Sequence, residues 1–329
     1  MHKYHDEDLS KQTFLVTGGA GFIGSNIVEY LLGYGAKKVR VLDNLSNGYK
    51  ENIAPFLSHP NFEFIEGDIR DLETCVKAME GIDYVSHQAA LGSVPRSIKD
   101  PVTTNAVNIS GFLNMMIALK DSKTVKRMVY AASSSTYGDS KLLPKTEDNI
   151  GKPLSPYAIT KYVNELYADV FGKTYNTDVI GLRYFNIFGP KQSPKGAYAA
   201  VIPLFMESLK INKQVKINGD GEQTRDFTYV ENAVQANIKS FFATKDAGNQ
   251  VYNIACNERI SINYLWELLN QSANKEIKAI YVQERQGDVK DSLADISKAE
   301  QFLDYKPKFY VKEALAKTWD YFKNNKIEY

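Results

Sequence analysis

A glycine-rich turn close to the N-terminus constrains the fold of this chain more than any other feature of the sequence. It connects a short apolar stretch, Thr13–Thr17, directly to an amphipathic stretch at 22–34. The spacing is Gly-x-x-Gly-x-x-Gly, in which Gly18 permits a tight turn, Gly21 a close approach of the backbone to a bound group, and Gly24 close packing of helix against strand. The arrangement predicts a strand–helix junction that binds phosphate groups.

Short β-branched stretches alternate with helical stretches through the first half of the chain. After Thr13–Thr17, the sequence predicts helices at 71–80 and 101–122 and further strands at 38–42, 62–66, 84–87, 127–132 and 179–184. Strands separated by helices imply parallel pairing through right-handed crossovers. We therefore predict an α/β fold built on a Rossmann doubly wound parallel sheet.

An acidic residue follows the glycine loop at an informative distance. Asp43 ends the second predicted strand, 19 residues after Gly24. A carboxylate there accepts hydrogen bonds from adenosine ribose hydroxyls and repels a 2′-phosphate, which favours NAD over NADP. Asp68 ends the third predicted strand and is a second candidate for the adenosine end of the cofactor. For both residues, the alternative is an ordinary aspartate in a surface turn.

The sequence pattern changes after Gly189, where the strands become shorter and turns become frequent. Short strands are predicted at 215–217 and 251–254, with turns at 218–221 and 285–288. We predict an NAD-binding domain at 1–189, to which the chain returns at 227–255. A smaller mixed α/β substrate-binding domain is predicted at 190–329.

Composition argues against several classes of protein. The 40 basic and 39 acidic residues give a net charge of +1 over 329 residues, so we predict binding to neither nucleic acid nor a membrane surface. The first ten residues lack the apolar core of a signal peptide, and no apolar run is expected to reach the roughly 20 residues that cross a bilayer. Cys75 and Cys256 provide neither a disulfide framework nor metal-ligand spacing. We expect a cytoplasmic protein without a metal site.

A tyrosine and a lysine four residues apart are the main candidates for catalysis. Pro156 suits the start of a helix, which places Tyr157 in its first turn and Lys161 on the same face. A free tyrosine has a pKa of about 10, and a nearby ammonium and an oxidised nicotinamide would both lower it. Tyr157 would then accept a proton from a substrate hydroxyl while hydride leaves the same carbon. Tyr34 and Lys38 have the same spacing by chance, so the pair is informative only beside other motifs.

A serine-rich turn follows the fifth predicted strand, at the edge where doubly wound sheets bind ligands. In the run Ser133-Ser134-Ser135-Thr136-Tyr137-Gly138, a hydroxyl can bond a substrate oxygen and relay a proton. Serine-rich turns are common without any catalytic role. The order along the chain is more specific, because the glycine loop, Asp43, the serine turn, Tyr157 and Lys161 follow one another as a set.

These motifs together resemble those of the extended short-chain dehydrogenase/reductases that act on nucleotide sugars. The resemblance covers nearly the whole chain and includes His-Gln-Ala-Ala at 87–90, Asn-Ile-Ser-Gly at 108–111, Arg-Tyr-Phe-Asn-Ile-Phe-Gly-Pro at 183–190 and Arg-Asp-Phe at 225–227 followed by Tyr-Val. It implies an NAD-dependent enzyme that epimerises a UDP-linked sugar. The family also suggests a homodimer, formed through the helix after Pro101 and the helix that begins at Tyr157.

The resemblance assigns roles to residues by matching position. It implies that the catalytic residues are Ser133, Tyr157 and Lys161. The implied cofactor-binding residues are Gly18, Gly21, Phe22, Ile23, Gly24, Asp43, Asn44, Ser46, Asp68, Ile69, Gln88, Ala89, Ala90, Asn108, Tyr157, Lys161 and Tyr184. The implied substrate-binding residues are Ser133, Tyr157, Asn186, Gln192, Ala200, Val201, Asn218, Arg225, Arg285, Asp288 and Ser292. In this set the two arginines would clamp the UDP phosphates and Asp288 would hold the uridine ribose.

Departures from related enzymes narrow the implied reaction. The 4,6-dehydratases carry Asp-Glu where this chain has Ser134 and Ser135, and the decarboxylases usually carry an acid in that turn. The galactose 4-epimerases have a lysine where this chain has Gly92 and a bulky gate residue where it has Ser292. The smaller side chain at the gate position, Ser292, leaves room for an acetamido group at carbon 2 of the sugar.

A further stretch narrows the implied substrate. Residues 92–97 and Gln192 resemble the UDP-N-acetylglucosamine 4-epimerases, which interconvert UDP-GlcNAc and UDP-GalNAc through a 4-keto sugar and sometimes act on the uronic acids. Activity on UDP-glucose and UDP-galactose stays open, as does a UDP-glucuronate epimerase or decarboxylase. A non-catalytic NAD-binding regulatory protein is an alternative of another class, because a fold does not fix a function.

Overall fold

A computed structural model describes residues 1–194, 200–284 and 291–324. Its strands are β1 (Thr13–Thr17), β2 (Lys38–Asp43), β3 (Phe62–Glu66), β4 (Tyr84–His87), β5 (Arg127–Ser133), β6 (Val179–Tyr184), β7 (Ile187–Phe188), β8 (Lys216–Asn218), β9 (Thr224–Arg225), β10 (Thr228–Tyr229), β11 (Gln250–Ile254), β12 (Ile260–Ser261) and β13 (Ile280–Val282). Its α-helices are α1 (Phe22–Gly33), α2 (Lys50–Ile53), α3 (Leu72–Met79), α4 (Val94–Lys99), α5 (Pro101–Asn105), α6 (Gly111–Asp121), α7 (Pro156–Tyr175), α8 (Val201–Lys210), α9 (Val230–Phe242), α10 (Ile262–Ala273), α11 (Ser297–Leu303) and α12 (Val311–Asn324). A π-helical turn at Ala106–Ser110 joins α5 to α6.

Among the described strands, seven form one parallel sheet in the order β3-β2-β1-β4-β5-β6-β11. This topology confirms the predicted Rossmann doubly wound sheet, and β11 extends it beyond β6. The strand order reverses between β1 and β4, so the loops after these strands separate and open a crevice at the carboxyl edge. The glycine loop and the serine turn both lie on this edge, because each follows a strand of the sheet.

Helices cover both faces of the sheet, which explains why β1 is buried throughout and has apolar side chains at its three central positions. Side chains alternate along a strand, so Phe14 and Val16 pack with α1 and α9 while Leu15 packs with α3 and α6 on the other face. All five residues of β1 are buried. A central parallel strand therefore has a continuous apolar sequence and not an alternating one.

The helix from Pro101 to Asp121 is apolar and long enough to pass a length and hydropathy test for a membrane span, with a mean hydropathy of 1.2. The sequence alone predicted no run of that length. In the structure, Phe112, Met115 and Met116 of this helix are completely buried in the core that includes α3. Packing inside the protein therefore accounts for the apolar composition of the helix.

A second core lies outside the sheet, between α8, α10 and α12. Its large side chains include Phe205, Trp266 and Trp319, and two-stranded pairs β8–β13 and β9–β12 lie beside it. The chain passes between the two cores more than once, because α9 and α11 pack with the sheet. The division into domains at 1–189 with 227–255 and at 190–329 stays a prediction.

Candidate active site

A cleft opens at the carboxyl edge of the sheet, along the loops that follow β1, β2, β3 and β4. It encloses about 550 Å³ including its open mouth, a size typical of small-molecule sites. Its lining contains these predicted cofactor-binding residues: Gly18, Gly21, Asp43, Asn44, Ser46, Asp68, Ile69, Gln88, Ala89 and Ala90. The lining also contains Leu42, Asn47, Gly48, Gly67, Leu91 and Val107, which the sequence analysis missed because they belong to no recognised motif.

Two glycines of the loop cannot be replaced without moving the backbone. Gly18 has a φ of +68°, and a Cβ built on it would lie 2.8 Å from the backbone nitrogen of Ala89. A Cβ on Gly24 would lie 2.2 Å from the carbonyl oxygen of Gly18. Gly21 begins α1 without any side-chain cap, so the N–H groups of the first turn, at Phe22 and Ile23, are available to an anion. This loop fits the pyrophosphate of a dinucleotide.

Asp43 lies at the end of β2 with its carboxylate buried. One oxygen accepts a hydrogen bond from the Ala20 N–H at 3.0 Å, and the other accepts one from the Leu45 N–H at 2.8 Å. Burial raises the pKa of Asp43, and these two N–H groups oppose that shift. The backbone of the glycine loop therefore fixes the carboxylate in the cleft wall, where it suits a ribose diol and disfavours a phosphate.

Asp68 is held differently, by an arginine that the sequence analysis did not single out. Arg70 donates to both carboxylate oxygens, at 3.0 and 2.7 Å, and Asn44 donates to one of them at 2.7 Å. The hydrogen bond with Arg70 is the main reason why the pKa of Asp68 falls to about 2. Asp68 and Asn44 thus form one ionised, hydrogen-bonded wall at the adenosine end of the cleft.

A closed ring of hydrogen bonds lies at the other end of the cleft. Tyr184 donates to Gln88 at 3.2 Å, Gln88 donates to Asn237 at 3.1 Å, and Asn237 donates to the Tyr184 hydroxyl at 2.7 Å. Asn237 comes from α9, and nothing in the sequence marked it as part of the site. The ring fixes the orientation of Gln88 and Tyr184, both of which were predicted to contact the cofactor.

Asn108 supports the cleft from below. It is 1% exposed, and its amide accepts a hydrogen bond from the Leu91 N–H at 2.8 Å and donates to the Leu91 carbonyl at 3.2 Å. It also donates to Thr160 of α7 at 3.1 Å. Asn108 therefore ties the loop after β4 to the helix that carries Tyr157 and Lys161.

The three predicted catalytic residues come together where β5 ends and α7 begins. Ser155 caps α7 by accepting the Ala158 N–H at 3.2 Å, which sets Tyr157 in the first turn. The Tyr157 hydroxyl lies near Ser133, the last residue of β5, whose side chain opposes the rise in the pKa of Tyr157. Lys161, one turn further along α7, is buried and donates to the Ala131 carbonyl at 2.8 Å. A serine, a tyrosine and a lysine thus form one polar group at the sheet edge.

The electrostatics of this group differ from the expectation. Burial raises the pKa of Tyr157 above its ordinary value, and the hydrogen bond with Ser133 only opposes this. Burial also lowers the pKa of Lys161 to about 8, against the favourable charge of Glu165. The protein by itself therefore does not lower the pKa of the tyrosine, because desolvation disfavours the phenolate more strongly than the hydrogen bond favours it.

A buried ion pair supports the catalytic turn from behind. Arg183 forms a fork with Glu165, at 2.9 and 2.7 Å, and donates to the Tyr137 hydroxyl at 3.0 Å. Ser135 donates to the Ser133 hydroxyl at 2.9 Å. At the two positions where dehydratases were expected to carry acids, this chain thus has Ser134 and Ser135, of which Ser135 stabilises the turn through its hydroxyl, and neither places a carboxylate beside Tyr157.

The described residues that were predicted to bind the substrate lie on segments between the sheet and the second core. Asn186, with a φ of +38°, donates to the Asp226 carbonyl at 2.8 Å, and Gln192 donates to the Ile187 carbonyl at 3.1 Å. The Ser292 N–H donates to the Thr224 carbonyl, next to Arg225 in the chain. Ala200 and Val201 begin α8, and Asn218 ends β8. Arg285 and Asp288 lie outside the described residues.

Two further observations concern the space beside Gly92 and the absence of a metal-binding cluster among the described residues. A Cβ built on Gly92 meets no atom within 4 Å, so there is open space where galactose 4-epimerases were expected to carry a lysine. Within 1–194, 200–284 and 291–324, no group of three or more His, Cys, Asp or Glu side chains is arranged to hold a metal ion.

Comparison with known proteins agrees with this geometry. Residues 14–255 match the family model described as the NAD dependent epimerase/dehydratase family. A putative UDP-glucose 4-epimerase of Methanocaldococcus jannaschii is 36% identical over 94% of this chain and 98% of its own. The solved UDP-N-acetylglucosamine 4-epimerase of Methanobrevibacter ruminantium, in complex with UDP-N-acetylmuramic acid, is 39% identical with a TM-score of 0.89, over 94% and 98% of the two chains.

A third relative was solved with a cofactor. The UDP-glucuronic acid 4-epimerase of Bacillus cereus, in complex with UDP-glucuronic acid and NAD, is 31% identical with a TM-score of 0.87, over 95% of this chain and 99% of its own. The chain is therefore an NAD-dependent enzyme and belongs to the NAD dependent epimerase/dehydratase family, within the extended short-chain dehydrogenase/reductases.

Proposed function

We propose that the protein is a UDP-N-acetylglucosamine 4-epimerase that interconverts UDP-GlcNAc and UDP-GalNAc. The observation that carries the proposal is that Ser133, Tyr157 and buried Lys161 lie together, in a turn without carboxylates. An epimerase needs only a proton acceptor at one oxygen and NAD. A dehydratase would also need an acid to expel water, and Ser134 and Ser135 supply none.

In this proposal, Tyr157 and Ser133 both act at the 4-hydroxyl of the sugar, whose proton is transferred. NAD, when bound, supplies the acceptor and donor of the carbon-4 hydride. Tyr157 takes the proton of the 4-hydroxyl, and Ser133 holds the same oxygen through its own hydrogen bond. The resulting 4-keto sugar rotates within the site. The proton then returns from Tyr157 to the carbon-4 oxygen as hydride adds to the opposite face of carbon 4. The reaction has no net oxidation, because the hydride and the proton both return to the substrate.

Lys161 has an electrostatic role in the same step. Its ammonium is fixed by the Ala131 carbonyl and lies one helical turn from Tyr157. A positive charge in this buried position favours the phenolate form that develops during proton transfer. The proposal assigns the glycine loop and Asp43 to NAD and Asn186, Arg225, Arg285 and Asp288 to the UDP-sugar.

The acetylated sugar is supported by three features. Open space beside Gly92 and the small side chain of Ser292 leave room for an acetamido group. The chain is also 39% identical to a UDP-N-acetylglucosamine 4-epimerase. A UDP-glucuronate 4-epimerase is the second candidate, favoured by its 31% identity to the Bacillus cereus enzyme. A decarboxylase and a non-catalytic NAD-binding protein have less support, because the turn lacks an acid and all three catalytic residues are present.

The test is product analysis with a panel of UDP-sugars. We expect UDP-GlcNAc to yield UDP-GalNAc without net accumulation of reduced nicotinamide, and we expect Ser292→Tyr to lose at least tenfold of this activity while retaining activity on UDP-glucose. If UDP-glucose epimerises and neither acetylated sugar does, the inference that Ser292 leaves room for an acetamido group is wrong. Epimerisation of UDP-glucuronate alone supports the second candidate, and carbon dioxide release identifies a decarboxylase.

We also propose that the enzyme is a cytoplasmic homodimer. Both cysteines are buried and unpaired, as expected for a reducing compartment. Large apolar side chains of α4, α5 and α7 are exposed together: Ile98, Val102, Ile159, Leu166 and Val170. Exposed apolar clusters of this kind mark protein–protein interfaces, and a second copy of the chain is the proposed partner.

A further inference from the structure

One side-chain hydrogen bond joins the two sides of the dinucleotide cleft. Asn47 lines the cleft on the loop after β2, and Arg96 lies in α4, which follows the cleft-lining Leu91 after β4. The Arg96 guanidinium donates from Nη2 to the Asn47 Oδ1 at 3.0 Å. In the sheet, β1 lies between β2 and β4. The bond therefore bridges from one flank of the glycine loop to the other.

The backbone on both sides of this bond is anchored. Arg96 donates its N–H to the Ser93 hydroxyl at 3.2 Å in the capped first turn of α4, and that helix packs against α7. On the other side, the Tyr49 N–H donates to the Ala20 carbonyl of the glycine loop at 3.0 Å. The connection between the two anchored segments is thus made by two side chains alone, Arg96 and Asn47.

The charge of Arg96 suits an anionic occupant of the cleft. Within the part of the chain that the structure describes, no carboxylate oxygen lies within ion-pair distance of its guanidinium, whereas Arg70 on the neighbouring wall is neutralised by Asp68. A guanidinium offers five N–H donors, of which the bond to Asn47 uses one. The remaining donors are available to an anionic group in the cleft, such as the pyrophosphate of a dinucleotide.

We propose that Arg96 and Asn47 form a latch that slows the escape of the bound dinucleotide. The inference rests on the proposed function, because an epimerase must return the hydride that it removed. If the dinucleotide leaves between the two halves of the reaction, a 4-keto sugar remains and the protein cannot complete the cycle. Retention of the cofactor is therefore part of the mechanism, and the latch provides it at the mouth of the cleft.

The experiment measures the dissociation rate of NAD from the purified holoenzyme, by exchange against an excess of labelled NAD. We expect Arg96→Ala and Asn47→Ala each to raise this rate about five- to tenfold, as for loss of one charge-assisted hydrogen bond. The double variant should be no faster than the faster single variant, because both substitutions remove the same bond. Lys99→Ala, which removes an exposed cation from the same helix, should dissociate at the wild-type rate.

The outcomes separate the latch from the proposed function. Wild-type dissociation rates in both single variants, or effects that multiply in the double variant, would overturn the latch. An equal acceleration in Lys99→Ala would show that only general positive charge matters and would also overturn it. A wild-type protein that binds NAD but converts no UDP-sugar leaves the dissociation measurement valid and removes the proposed function instead.

Discussion

The Tyr157 hydroxyl is the single group on which the proposed chemistry depends most. It lies near Ser133 and one turn from the Lys161 ammonium, and burial keeps its pKa above the ordinary value. A tyrosine in this state is a poor base unless positive charge beside it favours the phenolate, which is the role that the proposed function assigns to the Lys161 ammonium.

Replacing Tyr157 by Phe should remove turnover and leave cofactor binding intact. General acid–base groups contribute about 10²–10⁴-fold in rate, so we expect the turnover number to fall by that factor while the NAD content of the protein stays the same. Tyr34→Phe is the matched control, because Tyr34 has the same spacing to a lysine but donates to the Met1 carbonyl far from the cleft. Turnover above a tenth of wild type in Tyr157→Phe would rule out Tyr157 as the base.

The pH dependence of turnover should report Lys161. Its pKa is about 8, and the mechanism needs the ammonium form, so turnover should fall as the pH rises through 8. Tyr157 acts in the opposite direction, because a higher pH favours the phenolate. In Lys161→Arg the guanidinium stays charged, so the alkaline limb, which is the fall of turnover at high pH, should lie at least one pH unit higher. The turnover number itself should be lower than in the wild type. An alkaline limb that does not move in this variant belongs to another group.

At the scale of single elements, local signals predicted the strands and helices of the first half well. β3, β4 and β6 have the predicted bounds. β1 was identified because a short apolar run is followed directly by the glycine turn. Local patterns did not predict which side chains meet. Gln88 and Asn237 form one hydrogen bond across 149 positions of the chain, and an amide within an amphipathic helix has no local signature of such a role.

The same limit applies to the residues that support the site. Motifs located Ser133, Tyr157 and Asp43, because each follows a strand or begins a helix at a recognisable spacing. The Arg183–Glu165 pair and the Arg70–Asp68 pair were not assigned, since a charged residue in sequence is most often a solvated surface group. The burial of Arg183 and Glu165 depends on how α7 packs against β6, which is a property of the tertiary structure. Arg70 and Asp68 stay partly exposed, and their pairing has no signature in the sequence.

At the scale of the whole molecule, the exposed apolar side chains of α4, α5 and α7 predict association. We expect the protein to sediment at micromolar concentration with twice the 37.0 kDa mass of one chain. Val102→Glu combined with Val170→Glu should yield monomers, because two charges would be buried at the contact. Leu57→Glu places a charge at an exposed leucine elsewhere and should leave the dimer intact. Wild-type protein that sediments as a monomer contradicts the interface.

The position of β11 at the edge of the sheet has a consequence for how the chain is made. This strand is synthesised some 65 residues after its neighbour β6, a separation read from the bounds of the two strands. Until it emerges from the ribosome, β6 has an unpaired edge, and the face of the sheet beneath α9 is uncovered. A nascent chain that stops near residue 189 therefore exposes an apolar surface and a free strand edge, the combination that chaperones bind and that promotes aggregation.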